Sequence, residues 1–352
     1  MIYDIRNKDR VIGRFDWSDE DMPTPIDDSK LPAFIKNGLL SWLSSRAIPK
    51  NRAYMNKLFT AYNLKSIKEV IDHSMGLSLS DTLWVVHESC ETDWEYASLY
   101  RNEFDKVAAR LAFDGLRIPD ETFGGLSPEF STHGETPKCW DHLHGIPVLI
   151  KGGKMTPVIE VMAHQILTAL DYDHVPYSVC EYFGKQAAMC RVFTDECTSF
   201  IPLWCQVPSP TFEGVVAECR RLGLEKGLAR VLVFDYLIGN QGRQIYDWGT
   251  LVDSDTFDVH GFAPIFGNRK SLLYNWNGSD DYEKYNASIT PALYPTFEHG
   301  AKLGKQILGD KHGAENLVGF KFDQNELPGL SEETIFKTEI WLQNRVLDFL
   351  RM

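Results

Sequence analysis

Apolar positions recur along this chain with two different periods, and the period changes near residue 115. From residue 31 to 48, Phe34, Ile35, Leu39, Trp42 and Leu43 return at three- and four-residue spacing, which predicts helix closed by Pro49. Tyr54, Leu58, Phe59 and Tyr62 predict a second amphipathic helix, and residues 94–113 (WEYASLYRNEFDKVAARLAF) a third. Residues 84–87 read as a short strand. Residues 1–30 are polar and hold the turn-rich stretch SDEDMPTPIDDS, so they read as one strand followed by a loop. The first third is therefore expected to be largely helical.

Beyond residue 115 the texture is different. GLRIPDETFGGLSPEF, residues 115–130, is loop-like, and β-type runs follow at 147–151, 177–183 and 187–193. Between them a helix is expected, with Thr156 as its N-cap, Pro157 at its first position, and Ile159, Met162, Ala163, Ile166 and Leu170 on one face. Residues 227–238 (GLARVLVFDYLI) predict a buried helix. Residues 247–252 and 259–262 predict a hairpin around the turn DSDT, where Asp253, Asp255 and Asp258 serve turn formation. Residues 331–352 predict a terminal amphipathic helix. The order divides the chain into a helical N-terminal region (1–114), a strand-rich segment (115–205) and a helical C-terminal part (206–352). A small sheet lobe followed by a helical lobe is the plan of a bilobal phosphotransferase.

Composition narrows the picture without naming a chemistry. Of 352 residues, 43% are hydrophobic and 24% charged, an ordinary globular balance that excludes wholesale disorder. The net charge is −13 and no Lys/Arg block occurs, so nucleic acid is not expected as the main partner. Seven cysteines without a CxxC pair fit neither a disulfide framework nor a four-thiolate zinc site; they read as reduced thiols of a cytoplasmic protein. MIYDIRNKDR lacks the apolar core of a signal peptide, and no 18-residue apolar run predicts a membrane span.

Four segments carry candidate chemistry. FSTHGETPKCW (130–140) places Gly134 and Lys138 around a turn whose N–H groups can cradle phosphate, although an ordinary hairpin loop has the same look. In LIKGG (149–153), Lys151 ends a β-type run before a glycine turn, and Glu160 follows nine residues later on the next helix. A kinase-type site needs a strand lysine held by a helix carboxylate, and this spacing permits the pair. VFDYLIGNQGRQIYDWG (233–249) and GFAPIFGNRKSLLY (261–274) then supply helix, polar loop, hairpin and second polar loop, where a phosphotransferase presents its base and metal ligands. His142 and His144 form an H-x-H pair that would share one side of a strand; without a third ligand it reads as surface or core histidine.

In order and wording these segments resemble the HipA-like serine/threonine kinases, and more closely a phage- and mobile-element-associated branch of that family. There the loop reads S/T-T-D-G-x-x-P-K-C-W, against STHGETPKCW here. The strand motif Y/L-x-K-G-G appears as LIKGG, and the helix motif N-E-V-x-A as IEVMA. The catalytic F-D-Y-L-I-x-N-T-D-R-H-x-x-N-F-G appears as FDYLIGNQGRQIYDWG, and A-P-I-F-D-x-G-x-S-L as APIFGNRKSL. SRAIPKNRAYMNKL and MGLSLSDTLWVV also look like that branch, and the resemblance covers roughly residues 40 to 275. It implies an α+β, bilobal protein-kinase-like fold: a small sheet-containing N-lobe with a helical N-terminal extension, and a mainly helical C-lobe. It also implies ATP or another nucleotide as ligand, with Gly134, Lys138, Lys151, Glu160, Asn240 and Arg243 on the nucleotide side.

The departures bear on function. The family's catalytic Asp falls on Gly242, its neighbouring His on Gln244, its loop metal-binding Asn on Asp247, its second metal-binding Asp on Gly267, and its first-loop Asp on His133. A positioned base is worth about 10² to 10⁴ in rate, and lost metal ions remove several kcal/mol of transition-state stabilisation. Glycine supplies neither, and Asp247 is the one acid left for a Mg²⁺. The expectation is a pseudokinase that binds a nucleotide or a protein partner of host or phage origin. The alternatives are a rewired nucleotide-dependent transferase, or an active kinase that takes its acids from elsewhere in the chain.

Overall fold

The computed structural model describes residues 1–19, 22–49, 51–118, 122–207, 211–274 and 282–352. In chain order the strands are β1 (Ile2–Asn7), β2 (Arg10–Asp16), β3 (Thr24–Asp27), β4 (Leu83–His87), β5 (Lys138–Leu143), β6 (Ile146–Lys151), β7 (Ser178–Tyr182), β8 (Lys185–Arg191), β9 (Thr198–Pro202), β10 (Gly249–Asp253) and β11 (Val259–Phe262). The helices are α1 (Ala33–Lys36), α2 (Leu39–Ser45), α3 (Met55–Tyr62), α4 (Ile67–Ser74), α5 (Trp94–Ala97), α6 (Lys106–Asp114), α7 (Thr156–Leu170), α8 (Phe212–Arg221), α9 (Glu225–Ile238), α10 (Tyr282–Ser288), α11 (Phe297–Leu308) and α12 (Glu332–Arg351). They form two compact units: Met1–Gly152 with Arg191–Ile201 and Leu251–His260, and Gly153–Cys190 with Pro202–Thr250 and Gly261–Met352. These units are cut differently from the motif-based division at 114/115 and 205/206. No described helix is long and apolar enough to cross a membrane.

The first unit is more sheet-rich at its start than its sequence pattern predicts. Strands β3-β2-β1-β4 form an antiparallel sheet, with Tyr3 opposite both Phe15 and His87. Tyr3, Ile5, Phe15 and Trp17 pack with Trp42 and Leu43 of α2 and Ile71 of α4. Strand β4 is buried on both faces: Leu83 and Val85 join that core, while Trp84 and Val86 pack with Trp94, Leu99 and Phe104. The reading of 1–30 as one strand and a loop is thus corrected to three strands. The reason is a charged residue on a covered face: Asp4 is 3% exposed and accepts from Arg14 Nε at 2.8 Å, so the pattern along β1 and β2 does not look like a buried strand.

Two helices divide where one was expected. Residues 33–45 break around Gly38 into α1 and α2, and 94–113 break into α5 and α6. After Ala97 the backbone turns extended at Ser98. Asp105 then caps a new helix, its Oδ1 accepting from the N–H groups of Val107 (2.8 Å) and Ala108 (3.1 Å). The β5–β6 hairpin closes through His144 and Gly145, both at positive φ. His144 therefore sits in the turn, and the H-x-H pair does not share a strand face. The tail of β9, the DSDT hairpin and its flanks complete this unit; Asp253 Oδ1 accepts from Asp255 N and Thr256 N, as a turn-forming aspartate does.

The second unit is helical around one long buried element. Helix α9 is covered along most of its length; α11 lies against it, with Gly304 close enough that a Cβ would meet Val233 Cγ2 at 2.7 Å. Helix α12 also meets α9. Arg345 satisfies a carbonyl of its last turn by donating from Nε (2.8 Å) and Nη2 (2.5 Å) to Tyr236 O. Helix α7 begins at Thr156 itself with Met155 as N-cap, one residue earlier than the expected cap allows. Strands β7 and β8 form an antiparallel hairpin beside it in sequence.

Candidate functional site

In the first unit the glycine loop and the two lysines come together. Lys138 and Lys151 are register partners across β5 and β6, so their side chains leave the same face of the hairpin. Both are buried, at 7% and 5% exposure. Lys138 Nζ donates to His133 O at 2.6 Å, folding the lysine back over its own loop. Gly134 permits this: its φ is +96°, and a Cβ there would lie 2.4 Å from Lys138 Nζ. Beneath the loop, Arg52 donates to Thr132 O (2.7 Å) and to Lys138 O, and Trp140 N donates to Glu129 Oε1 at 3.0 Å.

This support is electrostatically tense. Burial pushes the Glu129 carboxyl up to about 7, with the Trp140 N–H and the Arg52 charge opposing. Burial likewise pushes His133 down to about 4, and nearby Lys138, Arg46 and Arg52 push the same way. Burial lowers Arg52 to about 10 against the pull of Glu129. Glu129 Oε2 and Arg52 Nε make no hydrogen bond.

In the second unit the polar loop after α9 is tied into one hydrogen-bonded network. Arg243 is fully buried and grips Asp235 of α9 with two bonds, Nη2 to Oδ1 at 2.6 Å and Nε to Oδ2 at 3.1 Å. It also donates to Phe266 O and, from Nη2, to Asn268 Oδ1 at 3.0 Å. Asn240 Nδ2 donates to Asp235 Oδ1 (3.0 Å), while Gly242 N donates to Asn240 Oδ1 (3.0 Å). Glu160, wholly buried on α7, accepts from Asn268 N at 3.2 Å. Burial disfavours the Arg243 charge, but the charge and hydrogen bonds of Asp235 outweigh it and hold the guanidinium above its usual value.

The two glycines at which the resemblance places acids, Gly242 and Gly267, differ in their surroundings. Gly242 lies against Lys270, where a Cβ would be 2.7 Å from the lysine's Cβ. Gly267 has φ +77°, and a Cβ there would be 3.0 Å from Cγ and Oδ1 of Asp247. The Asp247 carboxylate thus occupies the space into which a side chain at 267 would project. Its Oδ2 accepts from Gln244 N at 2.9 Å. Buried Tyr177 is pushed well up, by burial first and then in the same direction by the acidic groups of Cys190, Glu160 and Asp247.

HipA of Shewanella oneidensis MR-1, from a toxin–antitoxin system and determined in complex with HipB and operator DNA, aligns over 99% of this chain and 98% of its own, with a TM-score of 0.57 at 11% identity. This chain has a HipA-like kinase fold. The Helicobacter pylori proinflammatory kinase CtkA aligns over 61% of this chain and 90% of its own, with a TM-score of 0.43 and 14% identity. No protein-family model matches. Among curated proteins, UDP-N-acetylmuramoyl-L-alanyl-D-glutamate–L-lysine ligase of Staphylococcus haemolyticus is 31% identical over 124 residues, 32% of this chain. The chain spans 22% of that ligase's length.

A kinase of HipA-like fold implies Mg²⁺ beside its nucleotide, and the donors present do not fit a metal pair. Among the described residues no group of three or more His, Cys, Asp and Glu is placed to hold a metal ion. Asn268 Oδ1 is taken by Arg243, Asn240 is taken by Asp235 and Gly242, and Asp247 is bonded to its own loop. Of the residues expected on the nucleotide side, Gly134, Lys138 and Lys151 belong to the first unit. Glu160, Asn240 and Arg243 belong to the second. Sequence reasoning did not single out Asp235, Asn268, Arg52 or Glu129. Asp235 stands inside the quoted FDYLI, five and eight residues before Asn240 and Arg243, and its buried place on an apolar helix was the available signal.

Proposed function

We propose that this chain is a pseudokinase of HipA-like fold, which binds a nucleotide such as ATP, or a protein partner, without phosphoryl transfer. The observation that carries this reading is at Gly267, where the space a metal-binding side chain would enter is filled by the Asp247 carboxylate. Gly242, where the resemblance places the catalytic base, offers no proton acceptor. Lys138 and Lys151 support the binding half, because they leave one face of the hairpin side by side and a lysine there can reach phosphate oxygens as a point charge. The protein works in the cytoplasm on this reading, and its partner is a host or phage component. A protein partner is favoured over DNA by the net charge of −13. The HipA neighbour's own complex holds both HipB and DNA.

A thermal-shift titration with ATP, with and without Mg²⁺, tests the reading. Stabilisation that does not need the metal, and that is lost in folded Lys138→Met and Lys151→Met variants, is the expected result. No shift with either would leave only the partner-binding half standing. Turnover of ATP that disappears in Lys151→Met would overturn the proposal in favour of an active enzyme, and a new covalent mark on the protein seen by mass spectrometry would favour a rewired transferase.

A further inference from the structure

Helix α12 buries one face in the second unit and leaves a second apolar line exposed. Phe336, Ile340 and Leu347 stand at i, i+4 and i+11, so they share one side of the helix over about 17 Å. Exposed Val318 joins this line. Gln343, at i+7, donates from Nε2 to Leu317 O at 2.6 Å and accepts from Gly319 N at 2.9 Å, which seats Val318 beside the helix. At its N-terminal end the line runs into a groove of about 540 Å³. Phe322 and Phe336 are its apolar lining, and Glu332, Glu333 and Glu339 its acidic one.

We propose that this surface docks a protein partner through a basic amphipathic helix. A cationic side chain of the partner enters the groove over Phe336, and the partner's apolar face covers Ile340, Val318 and Leu347. The chain itself shows what the groove accepts. Lys321 Nζ lies over the Phe336 ring, 5.5 Å from its centroid, and donates to Glu339 Oε2 at 2.5 Å. The Glu339 carboxylate is buried and its Oε1 accepts from Phe322 N at 3.1 Å, whereas the Lys321 side chain is largely exposed and free to swing aside. An arginine does both jobs with one planar group, stacking on the ring and pairing with the carboxylate.

Charge selects the partner. The start of α12 carries the positive end of its helix dipole, and Glu332 and Glu333 in the first turn offset it. Glu333 is partly met by Lys337 at 2.9 Å. A net charge of −13 makes a second copy of this chain repel the first, so a basic partner is favoured over self-association. The spacing selects its shape: an exposed line that repeats at helical intervals over three turns packs best against another helix. The proposal rests on the partner-binding half of the function above, and it needs no nucleotide.

The probes are two synthetic helical peptides of about 18 residues with the same leucine stripe, one flanked by arginines and the other by glutamates. Each is titrated against the full chain by fluorescence anisotropy. The arginine peptide should bind at least about tenfold more tightly than the glutamate peptide, and raised salt should weaken it. Phe336→Ser and the double variant Glu332→Lys with Glu333→Lys should each weaken it at least about fivefold. Equal binding of both peptides, binding of neither, or arginine-peptide binding unchanged in both variants would overturn the proposal. Self-association of the chain alone in sedimentation, lost in Leu347→Ser, would overturn it in favour of a second copy. The comparison of the two peptides on the wild-type chain decides the matter even where a variant fails to fold. The ATP thermal shift reads the nucleotide half separately, so either half can fail without the other.

Discussion

The lysine hairpin of the first unit and the polar loop of the second place buried charge in opposite ways. In the hairpin region Arg52 pulls on the buried Glu129 without neutralising it, and burial, with Asp105 pushing the same way, raises that carboxyl to about 7. In the loop region Arg243 is matched by Asp235, and its remaining donors are met by Phe266 O and Asn268 Oδ1. A buried acid without a full counter-charge stays sensitive to pH, whereas a guanidinium gripped by a carboxylate holds its loop closed as structure.

The largest effect should come from opening the closed half. Arg243→Ala leaves Asp235 buried without its partner, and breaking such a pair costs about 3–5 kcal/mol. Denaturant unfolding should show a loss of that size, and an Arg243→Lys variant should recover only part of it, since an ammonium cannot reproduce the two-pronged bond. A loss below about 1 kcal/mol would mean the loop is not held by this pair.

Next in size is Gly267, where the resemblance places an acid. Gly267→Asp puts a side chain on a backbone at φ +77° and drives a second carboxylate against Asp247. Left-handed strain and like-charge crowding together should cost about 2–3 kcal/mol. The double variant Asp247→Asn with Gly267→Asp exchanges the two residues back to the pattern that the family resemblance describes. It should be less destabilised than the sum of its singles by at least about 1 kcal/mol, because the two sites share one space. Additive losses would separate Asp247 from the loss at 267.

That juxtaposition was invisible in the sequence, where the two positions are twenty residues apart and nothing in either loop announces a shared volume. Much of the frame was legible. The apolar runs predicted β4, β6, α7, α9 and α12 because those elements bury faces or whole circumferences with few polar exceptions. The pattern misled where polar groups are buried. Asp4 and Arg14 disguised the N-terminal sheet, and Asp105, inside the run expected as one helix, caps the start of a new one. In the site, lysines and glycines were legible from their turn spacing. Asp235 was not, since its partner Arg243 is reached only when the chain doubles back.

The hairpin region should answer to pH. Glu129 has a folded-state value raised from 4.5 to about 7, so the stability it contributes is full below about 4.5 and is lost as pH rises through about 7. His133 runs the other way: lowered from 6.5 to about 4, it contributes stability that is full above about 6.5 and is lost as pH falls through about 4. Each shift corresponds to at most about 3.4 kcal/mol, and between pH 5 and 7 the two oppose each other. Glu129→Gln removes one side. Its stability relative to wild type should therefore climb by about 2 kcal/mol from pH 5 to pH 7 in urea titrations. A constant difference between the two proteins would show that Glu129 titrates normally.

The smallest effect is expected at Gly242, and it bears on the comparison more than its size suggests. A Cβ there meets Lys270 at 2.7 Å from Cβ and 3.1 Å from Cδ, the flank of a flexible side chain rather than backbone. Gly242 φ is not in the left-handed region, so Gly242→Asp should cost only about 1 kcal/mol. It returns a carboxylate to the place where the resemblance puts the catalytic base. If a missing base were the whole deficit, phosphoryl transfer should rise by about 10² or more. The loop network argues otherwise: Asn240, Asn268 and Asp247 remain committed to other bonds, so the variant gains an acid but no metal donors. Turnover of ATP with Mg²⁺ should stay at background in Gly242→Asp, and a gain of two orders of magnitude would show that the second region is a site awaiting one group.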